Sequence, residues 1–198
     1  MKKTGLFIAA FLLLCFSTQG LQAAVRSWEI DKNHSNFYFS VNHIFSKIDG
    51  RFTDFSSTFL FDPNNLPASK IVFDIQVKSI ITHNAKRDKH LLSQDFFDAS
   101  RYPVINFTST NIKKTGVNTF DIAGKFTIKG KSYDLVLPLK LIGIKDHPMV
   151  KGSEVMGFSG ELTLDRLAYG VGSGKFVQYG VVGKLVRISL SLELLAPR

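Results

Sequence analysis

An alternation of period two runs through the chain and restricts what it can fold into. In SNFYFSVNH, Ser35, Phe37, Phe39, Val41 and His43 fall on one face, and Asn36, Tyr38, Ser40 and Asn42 on the other. The period returns in Phe55 to Phe61, Ile71 to Val77, Ile105 to Ser109, Phe120 to Ile128, Leu135 to Leu141, Phe158 to Leu164 and Val186 to Leu194. Successive side chains on a strand point to opposite faces, so these runs read as half-buried β-strands. Turn signals separate them: Asp62-Pro63-Asn64-Asn65, Lys113 to Gly116, Lys129-Gly130-Lys131 and the glycine-rich stretch Tyr169 to Gly183. Short strands with short loops favour antiparallel hairpins. Eight strands close into a barrel that packs solid or holds one small ligand. The expected class is all-β.

Two details bear on that barrel's interior. Phe52 and Phe55 are an odd number of positions apart, so a bulge or bend near Thr53-Asp54 is needed to turn both inward. Gly124 and Gly160 fall on inward positions, which implies sharp curvature or space kept open. Phenylalanine is abundant, with 18 in the chain, and many sit on the inward phase. Periodicity alone leaves two readings open: an aromatic-rich packed core, or an apolar channel lined with rings.

The stretch ITHNAKRDKHLLSQDFFD, residues 81–98, breaks the pattern. Asn84 can cap a short helix over residues 85–92. Leu91 and Leu92 can then pack onto an open end of the barrel, with the charged residues pointing away from it or towards its mouth.

The N-terminus has the layout of a secretory signal peptide: Lys2 and Lys3, an apolar run from Leu6 to Phe16, and small residues ending in Ala23-Ala24. The run is shorter than the about 20 residues a membrane span requires. The expected division is a signal peptide at 1–24 and one domain at 25–198, exported to the periplasm, with no transmembrane segment after cleavage. Cys15, the chain's single cysteine, leaves with the leader, so disulfides, a thiol nucleophile and thiolate zinc sites are excluded from the rest. Loss of Lys2 and Lys3 lowers the net charge from +9 to +7. A positive surface suits anionic head groups, membranes or nucleic acid, and export argues against nucleic acid.

Chemistry-bearing motifs are sparse. His34, His43, His83, His90 and His147 lie on different segments without metal-ligand spacing. His43 ends an apolar inward face; it reads as a buried, hydrogen-bonded histidine or as a polar contact at a cavity mouth. No G-x-S-x-G elbow or facing acid pair suggests a hydrolase. Gly170 to Lys175 lacks the spacing and context of a phosphate loop and reads as a flexible hairpin loop. Lys86, Arg87 and Lys89 could bind an anionic head group or form a solvated face.

The order and spacing of short motifs resemble the YceI-like family over essentially the whole chain after the leader. They run from Trp28-Glu29-Ile30-Asp31 and His34-Ser35, through Phe39 to His43 and Gly50 to Phe55, to Asn84, Lys86-Arg87-Asp88, His90-Leu91 and Asp95 to Asp98. Tyr102-Pro103, Asn106 to Thr110, Thr127 to Gly130, Phe158-Ser159 and Leu164-Asp165-Arg166 complete the match. The resemblance implies an extended eight-stranded antiparallel, lipocalin-like barrel with a long apolar channel. It implies binding of an isoprenoid lipid (a polyprenyl pyrophosphate or isoprenoid quinone) or another long-chain amphiphile, for carriage or storage.

On that basis Phe37, Phe39, Val41, Phe52, Phe55, Phe73, Ile75, Ile105, Phe107 and Phe126 are expected to line the channel. His43, Arg51, Asn84, Lys86, Arg87 and His90 are expected near the head group. No catalytic residue, metal, cofactor or nucleic-acid partner is expected. The alternatives are an enzyme acting on such lipids, or an envelope stress protein whose barrel is filled by side chains. Relatives of this kind are often dimeric, which leaves a homodimer open, although no contiguous apolar stripe marks an interface.

Overall fold

The computed structural model describes residues 25–198. The expected signal peptide lies outside the described residues. The elements in chain order are β1 (Ser27–Ile30), β2 (Asn36–His43), β3 (Ser46–Phe52), β4 (Phe55–Leu60), β5 (Lys70–Gln76), β6 (Ile80–Ile81), α1 (Ala85–Leu92), β7 (Val104–Lys114), β8 (Thr119–Ile128), β9 (Lys131–Asp146), β10 (Ser153–Asp165), α2 (Lys175–Gln178) and β11 (Val182–Pro197).

The eleven strands make an eight-stave antiparallel barrel because three staves are broken in the middle. β1 and β2 lie along the same edge of β11, with Glu29 opposite Leu195 and Phe37 opposite Leu190. β4 pairs with β1, and β3 with β2. β5 pairs with β4, and β6 with β3. From β5 the ring runs through β7, β8, β9 and β10 back to β11. The ring closes through the β1–β11 pairing, while the branch β2–β3–β6 ends at the two-residue strand β6, whose only strand pairing among the described residues is with β3; so short an edge limits the usual edge hazard.

The break at Thr53-Asp54 gives the expected bend, and both Phe52 and Phe55 are buried. The inward glycines resolve as close approach rather than open space. A Cβ on Gly124 would stand 2.7 Å from the Phe107 ring, and one on Gly160 would stand 2.7 Å from Leu139 Cδ2. Opposite Gly124 the β7 register shifts between Ser109 and Asn111, so the glycine sits where the sheet bends.

The phenylalanines answer both readings of their abundance. Towards the end closed by the β7–β8 and β9–β10 turns, Phe55, Phe59, Phe61, Phe120 and Phe158 pack with Trp28, Ile122 and Leu194 into a solid core. Ring contacts of 5.2 Å for Phe61–Phe158 and 5.3 Å for Phe61–Phe120 tie it together. Towards the other end the rings line open space.

Candidate ligand-binding cavity

That space is a cavity of about 560 Å³, within the range of roughly 300–1,000 Å³ common for small-molecule sites. Its floor is formed by Phe37, Phe73, Phe107, Leu137 and Leu190, and its walls by Phe39, Val41, Phe52, Ile75, Ile105 and Phe126 among others. Nine of the ten residues named for a channel border this cavity. Phe55 does not: its ring lies 4.8 Å from Phe37, on the far side of the floor, inside the solid core.

Alternation read for three further strands supplies walls not named as lining: Leu135 and Leu137 on β9, Leu162 and Leu164 on β10, Val186 and Ile188 on β11. The larger omission is the glycine-rich stretch. Tyr169, Val171, Phe176, Val181 and Val182 all face the cavity, so this segment is a second cover over the mouth rather than a free loop.

The first cover is α1 and the turns after it. Asn84 caps the helix as its sequence position predicts, its Oδ1 accepting the Arg87 backbone N–H at 3.0 Å. Asp88 accepts the Thr82 backbone N–H at 2.9 Å and the Thr82 hydroxyl. Arg87 Nε donates to Thr82 Oγ1 at 2.7 Å and its Nη2 to the Thr82 carbonyl at 2.6 Å. Helix and strand β6 are thereby clamped together. Leu91, Phe96 and Phe97 form the cover's inner side.

Two cations bind the covers to the barrel. Arg166 is buried, and donates to the carbonyls of Val171 at 2.8 Å, Gly183 at 2.9 Å and Val182 at 3.4 Å. Burial draws its pKa below the usual arginine value, and the neighbouring Asp165 charge opposes that shift. Lys129 Nζ donates to the Gly170 carbonyl at 2.8 Å and to the Phe96 carbonyl, joining the second cover to the first. Tyr169 lies between Phe126 and Tyr133, at 5.4 and 4.8 Å, and burial raises its phenol pKa, with Tyr133 adding to the shift.

The expected head-group residues separate into three groups. Arg51 is not on the cavity; its Nη1 donates to Asn36 Oδ1 at 3.1 Å on the exposed face of β3. Asn84, Arg87 and His90 border the cavity but are engaged in the cover itself, His90 through an Asp95 contact of 2.9 Å. Lys86 and His43 border it with side chains that have no hydrogen-bond or ion-pair partner among the described residues. The site is thus apolar at its floor and cationic at its rim. No Ser, Cys, Asp or Glu borders it among the described residues, so the wall offers neither a carboxylate base nor a hydroxyl nucleophile of the serine type. Among the described residues one cluster of three histidine and carboxylate groups comes together, Asp31, His34 and Glu193, at the break between β1 and β2 and outside the cavity.

A closed antiparallel barrel with an apolar interior cavity and a two-part cover belongs to the lipocalin-like class of folds. Residues 28–194 match the YceI-like domain, and the chain belongs to that family. It is 40% identical over 164 residues to Protein YceI of Escherichia coli O157:H7, covering 81% of this chain and 83% of that one. Among solved structures, Burkholderia cenocepacia BcnA is similar with a TM-score of 0.72 and 26% identity over 84% of this chain and 99% of that chain. A polyisoprenoid binding domain from Saccharophagus degradans, implicated in plant cell wall breakdown, shares the fold, with a TM-score of 0.64 and 13% identity over 87% and 99% of the two chains. No helix among the described residues is long and apolar enough to cross a membrane.

Proposed function

We propose that the protein binds a long-chain isoprenoid lipid, tail first, for carriage or storage in the periplasm. The observation that carries this reading is the polarity gradient of the cavity, apolar at Phe37, Phe73 and Phe107 and cationic at Lys86. Burying an alkyl chain against such walls is favourable by about 0.8 kcal/mol per CH₂ before the costs of association. The head group is a pyrophosphate or a quinone, met at the rim. The polyisoprenoid binding ascribed to the Saccharophagus domain supports the ligand class. The layout of residues 1–24 supports export. Family and wall chemistry together favour a binder over an enzyme.

Native mass spectrometry of protein purified from its own host tests this. The expected result is a co-purifying isoprenoid, or saturable uptake of added isoprenoid quinone or polyprenyl pyrophosphate. Absence of both retention and uptake would overturn the proposal.

A further inference from the structure

The turn between β2 and β3 runs against the usual chemistry of such turns. His43 pairs with Ser46, so only Ile44 and Phe45 lie between the strands. Tight hairpins of this length use a positive φ at the first loop residue, and glycine usually provides it. Here that residue is Ile44, at φ 52°, a backbone conformation that is costly for a β-branched side chain. Ile44 is 58% exposed and Phe45 fully exposed. Neither side chain contributes packing that would offset the strain or the exposure. Apolar residues displayed in this way mark a contact made outside the fold.

The turn stands at the mouth of the cavity. Ile44 N–H donates to the Val181 carbonyl at 3.1 Å, and Val181, Val182 and His43 border the cavity. Tyr179, following α2 and two residues before Val181, is exposed as well. Lys47, Lys86, Lys89 and Lys175 at this end are exposed and have no ion-pair partner among the described residues. Several acids here are already engaged: Asp88 by Thr82, Asp95 by His90, and Asp165 by Lys184 at 3.6 Å. Asp49, on the outer face of β3, is exposed as well.

We propose that Ile44 and Phe45 form an insertion tip that seats the mouth of the cavity on an anionic bilayer surface. The apolar pair enters the boundary between head groups and acyl chains, and the lysines meet the anionic head groups. An apolar molecule then passes between bilayer and cavity without crossing water. The proposal commits to a lipid surface because exposed rings at an apex surrounded by unpaired lysines match the layered chemistry of a bilayer interface.

The test uses protein purified from its native host, floated with phosphatidylcholine vesicles with or without phosphatidylglycerol. Wild type should float with the anionic vesicles, and less so at high salt. The I44G/F45S form gives the turn the glycine its geometry suits, so it should fold with unchanged or higher thermal stability. Its vesicle partitioning should fall roughly tenfold or more. The F45W form adds a reporter, since Trp28, the chain's only native tryptophan, is buried. Its emission should shift to the blue on anionic vesicles and be quenched by brominated acyl chains.

The proposal is overturned if wild type ignores anionic vesicles, if I44G/F45S floats equally well, or if F45W keeps its solvent-exposed emission. A blue shift growing with protein concentration in the absence of vesicles would assign the tip to self-association and overturn it too. Docking is read by flotation and by the F45W emission, not by cavity occupancy, so its failure and the failure of isoprenoid binding are separate results.

Discussion

The rings of Phe96 and Phe176 lie stacked, with 5.7 Å between centroids and 24° between planes. They come from the two covers, and His90 meets both edge-on, at 5.0 and 6.2 Å. The covers are therefore closed on each other by aromatic contacts, while Lys129 and Arg166 fix their bases. Separation of the rings opens the mouth without disturbing any barrel pairing.

Phe176→Ala removes that stack and leaves the barrel. The lost ring pair is worth about 0.5–1.5 kcal/mol beyond its area. Release of a bound lipid should quicken by roughly 2- to 10-fold, with thermal stability close to wild type. Stopped-flow transfer to a lipid acceptor measures it. An unchanged release rate would separate the stack from gating.

Ile188→Trp tests the cavity itself. Ile188 stands on β11 opposite Phe39 and Leu162, midway up the wall. An indole there occupies open space instead of displacing packed atoms, so denaturation midpoints should hold within about 1.5 kcal/mol of wild type. Isoprenoid uptake in native mass spectrometry should fall at least about tenfold, which corresponds to about 1.4 kcal/mol. Full uptake by a folded variant would place the ligand elsewhere.

Arg166→Met keeps the length of the side chain's stem and loses its donors. Three backbone carbonyls then lack the guanidinium that serves them. Hydrogen bonds to a charged group contribute about 1.5–3 kcal/mol each, and stranded buried acceptors add to the loss. Stability should fall by about 2–4 kcal/mol in chemical denaturation. Arg166→Lys should recover little, because one ammonium cannot span three carbonyls. A loss below about 1 kcal/mol would show that water replaces the guanidinium readily.

Much of this architecture is legible along the chain where the cause is local. Asn84 caps α1 because a cap needs only a side-chain oxygen three residues before an N–H. The bend at Thr53-Asp54 follows from the phase of Phe52 against Phe55. Strand β3 is hidden because its inward series is Ile48, Gly50, Phe52, and the glycine blanks the middle of the pattern. The Phe39 ring fills that gap, since a Cβ on Gly50 would stand 2.3 Å from it. Alternation identifies the inward face but not depth along the barrel, which is why Phe55, inward and aromatic, falls in the solid half. The second cover has no periodicity of its own. Distant donors, Arg166 and Lys129, fix it in place.

The Asp31–His34 contact sets a pH dependence. His34 Nδ1 lies 2.7 Å from Asp31 Oδ2. The hydrogen bond to Asp31 raises the His34 pKa above the ordinary histidine value of 6.5, and the same bond lowers that of Asp31 below the ordinary 3.8. The raised histidine stabilises the fold fully below the unfolded histidine pKa, and this is lost as pH rises through the folded value. The lowered aspartate stabilises the fold above its unfolded pKa, and this is lost as pH falls through the folded value. The pair is fully effective between about pH 4 and 6.5. An NMR titration should find the His34 midpoint above 6.5 in wild type and lower in Asp31→Asn. An unmoved midpoint would show that the contact is not made in solution.

Lys86 and salt separate the two head groups. Lys86 borders the cavity without a partner among the described residues. A pyrophosphate brings negative charge to this rim, so its affinity should weaken as ionic strength rises and weaken again in Lys86→Gln, by roughly 3- to 5-fold, the upper end for one exposed charge contact. A neutral quinone needs donors rather than charge, and its affinity should pass both changes within about twofold. Titrating both ligands into wild type and Lys86→Gln at low and high salt gives the comparison. Equal salt insensitivity for both ligands would remove the rim lysine from head-group recognition and leave the apolar walls as the sole basis of selection.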